Sequence, residues 1–169
     1  MNKAGSLHWL GLSVLIIIAD QITKSIATAK LDYLQPYNIF PGLNMTLVHN
    51  TGAAFSILNQ AGGWQRWFFI VLTLAVSMFL LYWLKTLPRN RRWLAIALAL
   101  VLGGAFGNLW DRIMLGYVVD FIDVYYANWH WPAFNVADSS ICIGAVMLVI
   151  DALWFDQAEV TTSNPGKKS

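Results

Sequence analysis

The sequence predicts an all-α membrane protein: four transmembrane helices, with a small extracytoplasmic β-rich platform built from the two outer loops. Three observations carry this expectation. Trp67 to Leu84 and Trp93 to Trp110 each run 18 residues without a charge. At 1.5 Å per residue each reaches roughly 27 Å, close to the hydrocarbon thickness of a bilayer. Only 12% of the 169 residues are charged, about half the share of an ordinary soluble domain. The nine tryptophans fall at or near the ends of apolar runs, where the amphipathic indole prefers the membrane interface; a large soluble helical core would scatter them.

The first span, residues 8–29, is apolar but interrupted by Asp20 and Lys24. Lys3, the apolar run and Ala27-Thr-Ala29 imitate a cleavable signal peptide. Charges between an apolar run and its cleavage site are foreign to such a peptide, so the helix is read as retained. Residues 30–65 form the first outer loop. Pro36, Pro41 and Gly42 punctuate it, and Met45-Thr-Leu-Val-His49 alternates as a short strand. The second span covers 66–84 and the third 93–110. Between them, the stretch from Lys85 to Arg92 holds four basic residues. The second outer loop, 111–137, contains Tyr117 to Tyr125, rich in β-branched and aromatic residues and predicted as a strand. The fourth span, 138–155, contains Asp151. Residues 1–160 read as a single membrane domain, and 161–169 as a disordered cytoplasmic tail.

Orientation follows from the basic residues. The 85–92 loop, Lys3 and the Lys-Lys near the C-terminus put that loop and both termini in the cytoplasm, because cytoplasmic loops hold the excess of Lys and Arg. The two longer loops then face the extracytoplasmic side. A net charge of +2 in local clusters offers no nucleic-acid-binding face. Cys142 is the only cysteine, and none of the three histidines belongs to an HExxH motif. An internal disulfide and a cysteine-based zinc site are therefore excluded, and metal-dependent hydrolysis is disfavoured.

Charges inside a membrane cost about 2.5–3.5 kcal/mol each at a helix centre on insertion scales, so their placement is informative. With this topology Asp20, Lys24, Asp111, Arg112, Asp120 and Asp138 gather at the outer-leaflet boundary, with Asn108 at the same level. Plain structural roles stand beside functional ones. Asp20 and Lys24, spaced i, i+4, are placed to neutralise each other. Asp138-Ser-Ser reads as a helix N-cap, Arg112 as a snorkelling side chain, and Gly103, Gly104 and Gly107 as helix-packing positions. Asp151 lies near the cytoplasmic end, away from the cluster. Asp123, three residues beyond Asp120, falls on the opposite strand face. Cys142 and His130 read as packing and interface residues.

Two close carboxylates cannot both ionise, and a pair sharing one proton can activate a water and protonate a leaving amine. Asp120, on the loop, and Asp138, at a helix start, are the candidates. Serine chemistry through Ser139 or Ser140 lacks a base, since Lys24 is engaged by Asp20 and His130 has no evident orienting acid. A second class stays open on chemistry alone: a proton- or ion-coupled transporter using the same acids. It would be expected to show midplane charges, broken helices and repeated halves.

Five motifs add a resemblance: Asp20-Gln-Ile-Thr-Lys24, Asn50-Thr-Gly-Ala-Ala-Phe55, Gly103-Gly-Ala-Phe-Gly-Asn-Leu-Trp-Asp-Arg112, Val118-Val-Asp-Phe121 and Phe134-Asn-Val-Ala-Asp138. In that order on four spans they resemble the bacterial lipoprotein signal peptidase (type II signal peptidase) family. Phe106 stands where that family more often has an aliphatic residue. The resemblance implies an aspartyl endopeptidase with Asp120 and Asp138 as its catalytic dyad. It implies Asn50, Gly52, Asn108, Asp111, Arg112 and Asn135 as substrate-binding or site-supporting residues, with Asp20 and Lys24 bracing the site. The implied substrate is a diacylglyceryl-modified prolipoprotein, cleaved before the lipidated lipobox cysteine. Membrane lipids and globomycin-type inhibitors are the other implied partners, and no cofactor is implied.

Overall fold

The computed structural model describes residues 5–52 and 63–155. Ala53, Ala54 and Phe55 of the second motif, and the tail predicted as disordered, lie outside the described residues. Among the described residues, four helices are long and apolar enough to cross a membrane. Helix α1, Leu10–Lys30, follows a 3-10 turn at Leu7–Trp9. Helix α2 spans Trp64–Thr86, α3 spans Arg92–Met114, and α4 spans Val136–Ile150 before a π-helical turn at Asp151–Phe155.

The helix ends have local causes. Pro88 disfavours a helical residue before it, and Leu87 is extended with φ −69° and ψ 129°, so α2 stops at Thr86. Past Met114, Gly116 takes φ +87°, a conformation that L side chains rarely adopt. The third helix therefore outruns its predicted end at residue 110. It carries Asp111 and Arg112 in its last turns, where buried partners satisfy what the charge alone suggested as a boundary. The fourth helix begins earlier than predicted, because Asn135 rather than Asp138 is its N-cap.

Helix α3 is the hub: 61% of its most apolar window is buried, against 22% for each of the other three helices. Lipid tails are as apolar as leucine, so helices associate here by close packing and polar contacts rather than by expelling water. The predicted glycine positions supply that closeness. A Cβ at Gly103 would come within 2.8 Å of Ile16 Cβ on α1. One at Gly104 would run into the Ala137 carbonyl and stand 2.5 Å from Ser140 Oγ on α4. At the other end of the bundle Leu80, Leu84, Leu87, Leu94, Ala95, Leu98 and Leu102 form a buried cluster. Asp151 lies at that end in a 2.9 Å ion pair with Arg91, apart from the acid cluster as expected. Cys142, expected to pack, is instead exposed on α4.

The outer loops form one four-stranded antiparallel sheet, β1-β2-β3-β4. Strand β2 (Leu43–Asn50) contains the first predicted strand, and β3 (Val118–Tyr126) matches the second with its bounds one residue later at each end. Strands β1 (Tyr37–Phe40) and β4 (Trp129–His130) were not predicted. The β2–β3 register sets Val48 opposite Asp120 and Asn50 opposite Val118. The chain leading into α4 is bound to the same strand, since Phe121 and Ile122 both donate to the Phe134 carbonyl. Asn135 is thereby delivered beside Asp120.

Candidate active site

Asp120 and Asp138 meet where β3 and the start of α4 converge, and Asn135 joins them. Its Nδ2 donates to Asp120 Oδ1 at 2.7 Å. Its backbone N–H donates to Asp138 Oδ2 at 3.3 Å, while its Oδ1 accepts from the Asp138 N–H at 2.9 Å. Those last two bonds are a capping box, which satisfies two helix-end donors reciprocally. The N-cap role predicted for Asp138 thus belongs to Asn135, and Asp138 sits three residues inside. It keeps a capping bond, but its other oxygen accepts from Asn108 Nδ2 at 2.7 Å.

Asp120 is only 1% exposed. Asn50, diagonal to it across the sheet, donates to its Oδ2 at 3.0 Å. Burial and the nearby Asp138 carboxylate push Asp120 from the ordinary range up to about 7, against the opposing influence of the Asn50 and Asn135 hydrogen bonds and of Lys24. A carboxyl titrating near neutrality beside a second carboxylate is the arrangement that acid–base catalysis at pH 7 requires.

Beneath the pair, Lys24 Nζ lies 2.8 Å from Asp20 Oδ2, 2.9 Å from Asp111 Oδ2 and 3.0 Å from Asn108 Oδ1. Asp20 and Lys24 therefore do pair, but the lysine also reaches a second helix. Each carboxylate takes a further bond: Asp20 accepts from the Ala137 N–H at 2.9 Å and Asp111 from the Val119 N–H at 3.1 Å. These two N–H groups belong to the residues immediately before Asp138 and Asp120. Gly107 permits the approach, since a Cβ there would stand 2.7 Å from Asp20 Oδ2.

Arg112 does not snorkel away. It donates to the Gly52 carbonyl at 3.2 Å and to the Asn108 carbonyl at 3.4 Å, and its guanidinium lies 5.2 Å from the Phe69 ring centroid. Gly52 in turn donates its N–H to Asn50 Oδ1 at 3.0 Å, which fixes the Asn50 amide to face Asp120 with its donor. All ten residues singled out in the sequence therefore belong to one connected group. Gln21 was missed: its Nε2 donates to Asp111 Oδ1 at 2.9 Å and to the Gly107 carbonyl at 3.3 Å. Its one signal was its place inside the Asp20–Lys24 motif.

Other candidates are engaged elsewhere. Ser139 donates to the Asn135 carbonyl, and Ser140 to those of Ala137 and Leu100. His130, predicted to lack an acid, has one: its Nδ1 lies 2.8 Å from Asp123 Oδ1. Asp123 also accepts from Asn44 and Thr46, which places that pair in the sheet's own polar network and away from the dyad. Among the described residues, no three His, Cys, Asp or Glu side chains are grouped to hold a metal ion.

Comparison with known proteins agrees with this geometry. The family model described as Signal peptidase (SPase) II matches residues 12–154. The chain belongs to the signal peptidase II family. It is 54% identical over 154 residues to the lipoprotein signal peptidase of Teredinibacter turnerae, covering 91% of this chain and 92% of that one. It is 54% identical over 159 residues to that of Acinetobacter baumannii, covering 94% and 90%. A solved structure described as a bacterial membrane enzyme superposes with a TM-score of 0.80 at 33% identity, covering 100% of this chain and 98% of that one. Signal peptidase II membership makes the chain an aspartic-type peptidase and a multi-pass protein of the bacterial inner membrane, and leaves the transporter reading without support.

Proposed function

We propose that this chain removes the signal peptide from prolipoproteins, using Asp120 and Asp138 as an aspartyl dyad that cleaves before a diacylglyceryl-modified lipobox cysteine. The observation that carries the reading is the Asn135 bridge, which ties the buried Asp120 carboxyl and the half-buried Asp138 carboxyl into one acid–base unit. The pair shares one proton, so one carboxyl is protonated and the other ionised. The ionised carboxylate takes a proton from water as the water oxygen attacks the scissile carbonyl carbon, while the protonated partner gives its proton to the carbonyl oxygen. Collapse of the tetrahedral adduct breaks the C–N bond. The leaving amine of the modified cysteine takes the proton from the first carboxyl, and the second recovers its own from the collapsing hydroxyl. Asn50, Gly52, Asn108, Asp111, Arg112 and Asn135 hold the pair and the substrate backbone, and Asp20 and Lys24 brace the site.

The dyad faces the extracytoplasmic side and both termini the cytoplasm, as the basic 85–92 loop indicates. A diacylated cysteine is held in the outer leaflet by its acyl chains, so its peptide bond sits at the depth of the dyad. The outer sheet clamps the extended peptide and Trp64, Trp129 and Trp131 ride the interface. Residues 1–160 act as one peptidase domain. Globomycin-type inhibitors compete for the same site.

The test is cleavage of a diacylglyceryl-modified lipobox peptide by purified wild type, Asp120→Asn and Asp138→Asn. Wild type cleaves before the modified cysteine, and both variants fold but lose activity. A well-folded variant cleaving at a near-normal rate removes that aspartate from the mechanism.

A further inference from the structure

The Lys24 ammonium is 3% exposed and sits among three acceptors, Asp20 Oδ2, Asp111 Oδ2 and Asn108 Oδ1, at 2.8, 2.9 and 3.0 Å. An ammonium has three donors and no acceptor, so these partners exhaust it. The consequence falls on Asn108. Its amide has one oxygen and one nitrogen, and only the oxygen can face an ammonium. Lys24 therefore forces Asn108 Nδ2 to the opposite side, where it donates to Asp138 Oδ1 at 2.7 Å. Asn135 Nδ2 donates to the same oxygen at 3.2 Å, so loss of the cation leaves that one longer bond to hold the amide, and a turned-over amide would offer Asp138 an oxygen instead of a donor.

The position of the ammonium is itself fixed at both ends of the site. Asp20 is held by the Ala137 N–H and Asp111 by the Val119 N–H, adjacent to the two dyad residues. Asp111 is further held by Gln21. A simple neutralising pair would need one carboxylate and no asparagine. Here one lysine on α1 reads the backbone of β3, the backbone of α4 and the side chain that touches Asp138.

Resting on the dyad reading above, we propose that Lys24 is a positioning residue that acts through Asn108: it holds the direction of that amide and so keeps Asp138 hydrogen-bonded in place within the dyad. Charge balance alone does not predict this route, and the two roles separate experimentally. If Lys24 works through Asn108, its removal matters only while the Asn108 amide is present to be misdirected.

The experiment is a double-mutant cycle on Lys24→Met and Asn108→Ala, reading kcat and KM for the diacylglyceryl-modified lipobox peptide. Lys24→Met is expected to lower kcat by about 100-fold, the scale of a misplaced catalytic group, with KM within about two-fold. In the Asn108→Ala background the same replacement is expected to lower kcat by less than about three-fold, because coupled sites are not additive. Equal costs in both backgrounds, or a loss confined to KM, overturn the proposal. Lys24→Met strands two buried carboxylates, so the cycle is repeated with Asp20→Asn/Lys24→Met. That pair removes opposite charges together and leaves an Asn Oδ1 to accept from Ala137. Asp138→Asn, run alongside, distinguishes two failures. If it stays active, the dyad reading falls and takes this inference with it. If it is inactive while the cycle is additive, this inference alone falls.

Discussion

Asn135 donates to Asp120 across 2.7 Å and is also the N-cap of the helix that carries Asp138. One side chain thus fixes the spacing of the dyad and the start of α4, and two substitutions separate these duties. Asn135→Ser keeps a good capping oxygen but is too short to reach Asp120. It is expected to unfold near the wild-type temperature while losing at least about ten-fold in kcat, or ~1.4 kcal/mol of transition-state stabilisation. Asn135→Ala loses both contacts and should cost a further ~1 kcal/mol of stability, the typical worth of a cap. Thermal unfolding in detergent beside peptide cleavage checks both; an active Asn135→Ser would detach the bridge from catalysis.

Asp120 titrates at about 7 in the folded protein, raised from 3.8. Since the pair must keep one proton, cleavage is expected to fall as pH rises through about 7. Asn50 donates to the charged form of Asp120 and so lowers its pKa; Asn50→Ala should move the alkaline limb to higher pH. The stability consequence has the opposite look. A carboxyl whose folded pKa lies above its unfolded one adds stability that is complete below about pH 4 and lost as pH rises through the folded value. Asp120→Asn is therefore expected to raise the unfolding temperature at pH 8 and to change it little at pH 4. A uniform shift at both pH values would show that Asp120 is not the group titrating near 7.

Close approach of α3 and α4 rests on Gly104, where a Cβ would meet the Ala137 carbonyl, Ser140 Oγ and Ile141 Cγ1. Backbone cannot give way as a flexible side-chain end can, so Gly104→Ala should push α4 outward. Overpacking of this kind costs about 1–3 kcal/mol, and here it also displaces Asp138. Gly11→Ala is the control, because nothing lies within 4 Å of its Cβ position. Gly104→Ala is expected to lose both stability and cleavage, and Gly11→Ala neither. Equal behaviour of the two would mean that the contact relaxes at no cost.

How far the sequence carried depends on the range of the interaction involved. Charge-free runs reveal α2 and α3 because a span is a property of consecutive residues. Asp120 and Asp138 stood out because charged groups are scarce in such a chain and the motifs around them are specific. Strands β1 and β4 were not legible: with four and two residues they hold no periodicity, and they exist because β2 and β3 offer edges to pair with. The capping role went to the wrong residue because both Asn135 and Asp138 are good caps. The Phe134 carbonyl, bound by Phe121 and Ile122, decides between them, and it acts across the fold. His130 found its acid in the same way, through the β3–β4 pairing that no local pattern announces.

Orientation in the membrane is a separate matter, read from the placement of the basic residues, chiefly the 85–92 loop. Cys142 is the single cysteine and is exposed, so a Cys142→Ser background gives a clean start for labelling. Asn128, between β3 and β4, and Asn90, between α2 and α3, are both exposed turn residues at opposite ends of the bundle. A membrane-impermeant maleimide added to right-side-out membranes should modify Asn128→Cys directly, and Asn90→Cys only after permeabilisation. Positive-inside demands that pattern, because Lys85, Arg89, Arg91 and Arg92 flank Asn90. The reverse pattern would place the dyad at the cytoplasmic face, where no exported, diacylated cysteine reaches it, and the proposed substrate would have to be abandoned with the topology.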